Sequence, residues 1–202
     1  MAKHVKKKID SRSRLTIPDL VLLSLLAERP MHGYEINATL EERNIREWAP
    51  VSRPQIYYSL EKLLTLGLMR VLKDDSSAAG PERRVVGTTA KGIDRLADAL
   101  AAPHWISDRV YQPFLIWLAL SWQTRGRTFV DQLANRKGFL LTRLADERKT
   151  LSEVLEEVGH PNHEAVWMLE LVIGQTELEL GWIDKVLANA SKRGAARNPL
   201  KG

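Results

Sequence analysis

The segment VSRPQIYYSLEKLLTLGL (51–68) carries sequence signals for both the start and the end of a short helix, and it limits the possible folds more than any other stretch of the chain. Ser52 and Gln55 have the spacing of a capping box, and Pro54 suits the first turn of a helix, where a missing N–H costs nothing. Gly67 suits a left-handed helix end. Between them runs an apolar stripe, formed by Ile56, Leu60, Leu63 and Leu64. The pattern predicts an amphipathic helix that packs on a small core by one side.

Short elements surround this helix. Two helices are predicted before it, and Arg29-Pro30 ends the first of them. After it, the runs LMRVLK (68–73) and ERRVVG (82–87) predict a two-stranded hairpin. Thr88 or Thr89 then caps a fourth helix. Three helices, a hairpin and a helix make the order of a winged helix-turn-helix domain.

Beyond Pro103, the periodicity predicts three helices, at about 104–123, 128–158 and 162–190. The last one has two apolar stripes. The first has heptad spacing and consists of Val166, Leu169, Ile173, Thr176, Leu180, Ile183 and Leu187. The second lies on another face and consists of Leu171, Leu178, Trp182 and Val186. One stripe can pack within its own subunit, and a homodimer through residues 162–190 would bury the other.

The sequence therefore predicts a mainly α protein with two domains. A winged helix-turn-helix covers residues 15–102, and a helical dimerisation domain with antiparallel, coiled-coil-like helices covers residues 103–190. The positive charge resides in the ends, since residues 1–14 hold six Lys/Arg and one Asp, and residues 191–202 hold four Lys/Arg and no acid; these +9 charges and the −4 of residues 15–190 make the net charge of +5. We expect these ends to be a flexible basic arm and a flexible basic tail. Because the two domains are close to neutral, charge alone is weak evidence for nucleic-acid binding.

The composition excludes several classes of function. There is no cysteine, which rules out disulfides and cysteine catalysis and fits a reducing cytoplasm. The longest apolar run, Phe114–Leu120, is too short to span a bilayer, and it predicts a helix buried on most sides. No nucleophile–base motif, phosphate-binding glycine loop or set of metal ligands is recognisable. We expect a protein that is not an enzyme and that holds neither a cofactor nor a metal.

Three blocks of the sequence resemble the PadR-type transcriptional regulators, in the order and spacing of that family. They are RPMHGYEI (29–36), VSRPQIYYSLEKLLTLGL (51–68) and GPERRVVGTTAKG (80–92). The helical remainder resembles the longer PadR subfamily, through FLIWLALSW and GQTELELGWIDKVL. The resemblance implies a homodimeric repressor on a pseudo-palindromic DNA operator, often released by a small phenolic or flat hydrophobic effector. Tyr58 departs from the family, which often has a proline there.

The polar side of the helix in 51–68 supplies the candidate DNA contacts. The residues predicted to meet the major groove are Arg53, Gln55, Tyr57, Tyr58 and Lys62. An arginine can pair with guanine and a glutamine with adenine, while a tyrosine hydroxyl can donate to a phosphate. On the hairpin, Arg83 and Arg84 alternate, so that one can follow a phosphate or the minor groove while the other supports the strand. The alternative is a winged-helix interaction module that binds protein without specific DNA binding.

Aromatic residues give two further expectations. Trp117 and Trp182 are the predicted contacts of a small aromatic or hydrophobic effector, against the alternative that they only fill a core. In MHGYE, His32 and Tyr34 are assigned structural roles, with Tyr34 in the small three-helix core.

Overall fold

The computed structural model describes residues 14–74, 84–125 and 127–193. Their two compact units are divided between Arg109 and Val110. The predicted basic arm and tail lie almost wholly outside the described residues, as does the tip of the hairpin. Helices dominate both units, which confirms the mainly α fold class. In the described part of the chain, no helix is long and apolar enough to cross a membrane.

The first unit begins with α1 (Ile17–Glu28), α2 (Gly33–Glu42), the single turn α3 (Ile45–Trp48) and α4 (Arg53–Thr65). The turn α3 is not predicted from the sequence, and it follows Asn44, whose φ of 48° is left-handed. Apolar side chains of α1, α2 and α4 meet in one core. Its fully buried members include Leu22, Leu23, Ile36, Leu40, Ile56 and Leu63.

Both ends of α4 are formed as the sequence predicts. Ser52 N donates to Gln55 Oε1 at 2.8 Å, and Gln55 N donates to Ser52 Oγ at 3.4 Å, which completes the capping box. Gly67 has a φ of 67°, in the left-handed region that favours glycine. The inner side of α4 is fixed in the core, so the opposite side faces outward.

The hairpin forms the wing. Its strands β1 (Met69–Asp74) and β2 (Arg84–Thr88) pair antiparallel, with a bulge in β1 between Val71 and Lys73. Met31, in the turn before α2, exchanges two backbone hydrogen bonds of 3.0 Å with Val86 of β2. The wing is thereby tied to the helices beside it.

Helix α5 (Ala90–Leu100) returns to the core after the wing. Thr89 is its cap, because its Oγ1 accepts a hydrogen bond of 3.1 Å from Gly92 N. The helix passes so close to the residue before β1 that a Cβ at position 92 would lie 2.2 Å from the carbonyl oxygen of Leu68, which requires glycine there. A short helix, α6 (His104–Ser107), follows.

The second unit contains α7 (Pro113–Leu120), a 3-10 turn (Ser121–Gln123), α8 (Thr128–Val158), α9 (Glu164–Ala188) and a second 3-10 turn (Ala190–Lys192). The predicted continuous helix over 104–123 is wrong. Asp108 and Gln112 have extended backbone, with ψ of 129° and 124°. Gln112 precedes Pro113, and a proline disfavours the helical conformation of the residue before it.

Helices α8 and α9 form an antiparallel pair. Bidentate contacts of 2.9 and 3.0 Å join Arg136 to Glu179, and a contact of 2.6 Å joins Arg148 to Glu177. The heptad stripe of α9 is buried from Val166 to Ile183, as predicted. In the second stripe, Leu171 and Leu178 remain at the surface and are 62% and 75% exposed, whereas Val186 packs on the core of the unit.

Helix α7 is not buried on most sides, contrary to expectation. Its residues Phe114, Trp117 and Leu118 pack on the core of α8 and α9. On the other side of α7, no described residue of the unit covers the helix. Leu115, Ile116 and Leu120 are each more than half exposed there. Apolar composition all round the helix therefore does not mean burial all round within one chain.

Candidate nucleic-acid interface

The surface of α4 outside the core stripe carries Arg53, Gln55 and Tyr58. Tyr58 is 73% exposed. Arg53 occupies the first position of the helix, where free N–H groups and the helix dipole also favour an anion. These side chains can therefore reach a bound duplex without disturbing the core.

Within the described residues, only the oxygen of the Gln55 side-chain amide is hydrogen-bonded. Its Oε1 accepts from Ser52 N at 2.8 Å, and no hydrogen bond of its Nε2 is formed within the described part of the chain. Recognition of adenine by a glutamine uses both the oxygen and the nitrogen. Gln55 therefore cannot read adenine in this way and keep its cap, while Nε2 alone can donate to a phosphate or a base oxygen.

Tyr57 belongs to a polar network that fixes the start of α4. It is half-buried and packs on the core. Asn37 Nδ2 donates to its hydroxyl at 3.5 Å and to Gly33 O at 3.1 Å. Arg46 in turn donates to Asn37 Oδ1 at 3.2 Å and to Val51 O at 3.1 Å. The hydroxyl of Tyr57 is thus directed toward α2, and an outward contact would come from its exposed edge.

Lys62 is not directed outward, which corrects its predicted placement. Its Nζ lies 2.6 Å from Oδ2 of Asp19 on α1. Asp19 has no exposed surface, and it also accepts from Thr16 N at 2.7 Å. Burial acts to raise the pKa of Asp19, but hydrogen bonds from Lys62, Thr16 and Ser59 outweigh it and hold the pKa below its ordinary value. Lys62 therefore holds α4 to α1.

Of the two candidate arginines of the wing, one lies within the described residues. Arg84 begins β2 opposite Asp74 and is half-buried. Arg83 lies outside the described residues. Both stay predictions as wing contacts.

Glu61 is a surface residue of α4 that sequence reasoning missed. It is exposed and follows Tyr58 by three residues, which places the two side chains side by side on the helix. A carboxylate there repels phosphate but can accept from the amino group of cytosine. The spacing from Tyr58 is the signal that could have identified it.

Tyr34 does not lie in the core, contrary to expectation. It is 59% exposed, and its ring stacks on His32 with 5.4 Å between the centroids. Ile36 and Leu40 occupy the inner side of α2. A residue two positions before Ile36 falls on the far side of a helix, so Tyr34 faces solvent.

One of the two candidate effector residues lies on a cleft of about 440 Å³ in the second unit. Trp182 lines this cleft, whereas Trp117 does not. Trp117 stacks on Phe114 and Phe129, with centroid distances of 5.6 and 5.9 Å. The core-filling alternative thus describes Trp117, and Trp182 remains a candidate ligand contact.

The family model of the transcriptional regulator PadR-like family matches residues 22–98. No curated protein matches the chain. Among solved structures, PadR of Bacillus subtilis in complex with operator DNA gives a TM-score of 0.71 at 18% identity, over 86% of this chain and 97% of that one. The same protein in complex with p-coumaric acid gives 0.71 at 18% identity, over 86% and 98%. The virulence activator AphA of Vibrio cholerae gives 0.65 at 19% identity, over 88% and 99%.

These structural likenesses confirm the fold, a winged helix followed by long C-terminal helices. The family match includes all three sequence blocks, with α4 and the wing. Because the family is one of transcriptional regulators, the expectation that the chain is not an enzyme is confirmed. On this match and this fold, residues 22–98 belong to the transcriptional regulator PadR-like family.

Proposed function

We propose that the chain is a sequence-specific DNA-binding repressor that acts as a homodimer on a pseudo-palindromic operator. The observation that carries this proposal is the division of α4, whose inner side is buried while Tyr58 is 73% exposed. PadR of Bacillus subtilis forms a complex with operator DNA, which supports the same use of the winged helix here.

In the proposed complex, α4 enters the major groove. Arg53, Tyr58 and the free Nε2 of Gln55 contact the duplex, and the exposed edge of Tyr57 adds to them. Lys62 is left out of this set because its ammonium is bound to Asp19. On the wing, Arg83 and Arg84 follow a phosphate or the minor groove. The lysines and arginines of residues 1–14 strengthen binding in a salt-dependent way.

The proposed homodimer buries the two exposed leucines of the second stripe of α9. Leu171 and Leu178 stand exposed on a helix whose other stripe is already packed against α8. Large apolar side chains aligned on one face are typical of a protein–protein contact. A two-fold dimer also matches a palindromic site, because each half-site then receives one α4.

A small aromatic effector is proposed to release the DNA. PadR of Bacillus subtilis forms a complex with p-coumaric acid, which supports a small-molecule effector in this chain as well. Trp182, on the cleft of the second unit, is the proposed contact.

Selection of bound sites from random DNA, followed by gel shift on the recovered site, tests DNA recognition and symmetry together. We expect a palindrome that is bound in the presence of competitor DNA and released by salt. Failure to recover any site would contradict the proposal. A reporter gene placed behind the recovered site then distinguishes repression from activation.

The second candidate function is a winged-helix module that binds protein. The near-neutral charge of residues 15–102 favours it, since a DNA-binding surface is usually basic. Retention on heparin separates the two candidates after residues 1–14 and 191–202 are removed. Loss of retention, together with no selected site, would favour the protein-binding module.

A further inference from the structure

We propose that Glu61 determines part of the base specificity of this chain, because its carboxylate accepts a hydrogen bond from the amino group of a cytosine in the major groove. This specificity rests on the proposed function, since α4 must enter the groove of a DNA duplex. It goes beyond that function by naming one base and the side chain that selects it.

Glu61 lies on the side of α4 that points away from the core. The buried residues Ile56, Leu60 and Leu63 define the inner side of the helix. At about 100° per residue, the direction opposite to them falls between Tyr58 and Glu61, and both of these residues are exposed. A helix that enters the groove by its outer side therefore turns the carboxylate of Glu61 toward the base edges, next to the ring of Tyr58.

Within the described part of the chain, no side chain pairs with the carboxylate of Glu61. The adjacent cation, Lys62, is bound to Asp19. Glu28 on α1, by contrast, forms a surface ion pair with Arg43. The carboxylate of Glu61 is therefore available to accept a hydrogen bond from a ligand, and no intramolecular ion pair among the described residues accounts for its position.

A carboxylate on a surface that approaches DNA is unfavourable unless it meets a donor. The phosphates repel it, and its removal from water inside the groove costs further free energy. A hydrogen bond from the amino group of a base offsets this cost, since hydrogen bonds to charged groups are stronger than neutral ones. Glu61 therefore disfavours every sequence that offers no amino group at its position.

Cytosine fits a carboxylate best among the four bases. Its edge in the major groove presents the amino group N4 as a donor and has no acceptor. Adenine also has an amino group, but the acceptor N7 beside it repels the second carboxylate oxygen. Guanine presents two acceptors, and thymine presents an acceptor and a methyl group. The expected order of preference is cytosine first, then adenine, with guanine and thymine last.

Selection of bound sites from random DNA, by the full chain and by Glu61→Ala, tests the proposal. Alanine has the highest helix propensity, and removal of an exposed side chain leaves no cavity, so the variant should fold normally. Each half-site selected by the wild type should contain one cytosine that Glu61→Ala no longer requires. In gel shift, replacement of this base pair should weaken the wild type about tenfold and Glu61→Ala less than about twofold.

An altered base tests the amino group directly. Pyrimidin-2-one in place of the selected cytosine lacks the amino group N4 and should weaken binding of the wild type about fivefold to tenfold, but not that of Glu61→Ala. Because both proteins meet the same altered duplex, changes in the DNA itself cancel in the comparison. Equal losses for the two proteins would overturn the proposal.

Glu61→Gln gives a result that a purely structural role of Glu61 would not produce. Glutamine pairs with adenine through both its oxygen and its nitrogen, so the selected base should shift from cytosine toward adenine. Retention of the same cytosine preference by both Glu61→Gln and Glu61→Ala would overturn the proposal.

Glu42→Ala is the matched control for the change in charge. Glu42 is an exposed acid at the end of α2, and its removal takes the same charge from the same unit. The variant should bind all DNA slightly more tightly and keep the preference for cytosine. Loss of that preference in Glu42→Ala would assign the effect to net charge and contradict the role of Glu61.

Two results would overturn the role of Glu61 and leave the proposed function standing. One is a selected palindrome without a preferred cytosine. The other is a Glu61→Ala variant that binds all sequences more tightly by the same factor, which would place the carboxylate beside a phosphate. Failure of the wild type to select any site would contradict the proposed function, and the specificity of Glu61 with it.

Discussion

Lys62 on α4 holds the carboxylate of Asp19 on α1, with 2.6 Å between Nζ and Oδ2, although Asp19 has no exposed surface. Removal of a carboxylate from water costs several kcal/mol, and the contacts with Lys62, Thr16 and Ser59 offset that cost. The pair joins the first helix to the helix that carries the candidate DNA contacts. It therefore fixes the position of α4 relative to α1.

Loss of Lys62 should be costly for stability. Lys62→Met leaves the buried carboxylate without its cation, and we expect the free energy of unfolding to fall by about 2–4 kcal/mol. Urea denaturation of the variant and the wild-type chain measures this change.

Arg43→Met is the matched control for Lys62→Met. Arg43 pairs with Glu28 at 2.8 Å at the surface, and loss of an exposed pair should cost about 1 kcal/mol or less. The double change Asp19→Asn with Lys62→Met should recover part of the stability, because no charge is then left buried. Equal costs for Lys62→Met and Arg43→Met would contradict the assigned role.

The depressed pKa of Asp19 predicts a loss of stability in acid. The folded pKa lies below the ordinary value of 3.8, so the unfolded chain binds the proton first as pH falls. The contribution of Asp19 is complete above about pH 5 and disappears as the pH falls through its folded pKa. We expect the difference in unfolding free energy between wild type and Asp19→Asn to shrink over this window. A constant difference from neutral pH to acid would contradict the prediction.

Local chemistry made much of the fold predictable. The capping box of Ser52 and Gln55, the left-handed Gly67 and the buried stripe of α9 all depend on residues a few positions apart. The ion pair of Lys62 could not be predicted in this way, because its partner Asp19 is 43 positions away in the chain. A helical projection places Lys62 on the outer side, but a long side chain can carry its charge back to a neighbouring helix.

Burial was predicted less well than secondary structure. Apolar composition predicted a buried α7, yet Leu115 and Ile116 are each 54% exposed. Tyr34 was expected in the core on the same side of the helix as Ile36 and Leu40, but its position on α2 turns it outward. The extent of burial depends on which neighbours the complete fold supplies, and a single segment does not specify them.

Gln55→Glu should separate capping from DNA contact. A glutamate at this position can still accept from Ser52 N, and a negative charge in the first turn of a helix is favourable. Stability should therefore change by less than about 0.5 kcal/mol. Operator binding should weaken, because the new charge faces phosphate where Nε2 was a donor.

Thermal unfolding and gel shift on one preparation measure the two effects of Gln55→Glu. Ser52→Ala is the control that removes the other half of the cap, and it should cost about 1 kcal/mol of stability. Unchanged operator binding by Gln55→Glu would show that this side chain does not meet DNA.

Tyr58→Ala should weaken operator binding by about 1–3 kcal/mol and leave the melting temperature almost unchanged. The physical reason is that the side chain is 73% exposed, so its removal creates no cavity. Tyr58→Phe keeps the ring and removes the hydroxyl. Comparison of the two variants by gel shift therefore separates a hydroxyl contact with phosphate from a ring contact with sugar or base. A large fall in melting temperature for Tyr58→Ala would instead make it a structural residue.

Leu178→Glu should dissociate the proposed homodimer. Leu178 is 75% exposed in the described chain, so a charge there is harmless to the monomer and costly inside an apolar interface. Sedimentation should show a monomer, and affinity for the full palindrome should fall by about a hundredfold because the two α4 helices no longer bind together. Ser152→Glu, an exposed site on α8, is the control for a charge added to a helix surface. A dimer that survives Leu178→Glu would place the subunit contact on another face, and the exposed side of α7 would then be the next surface to change.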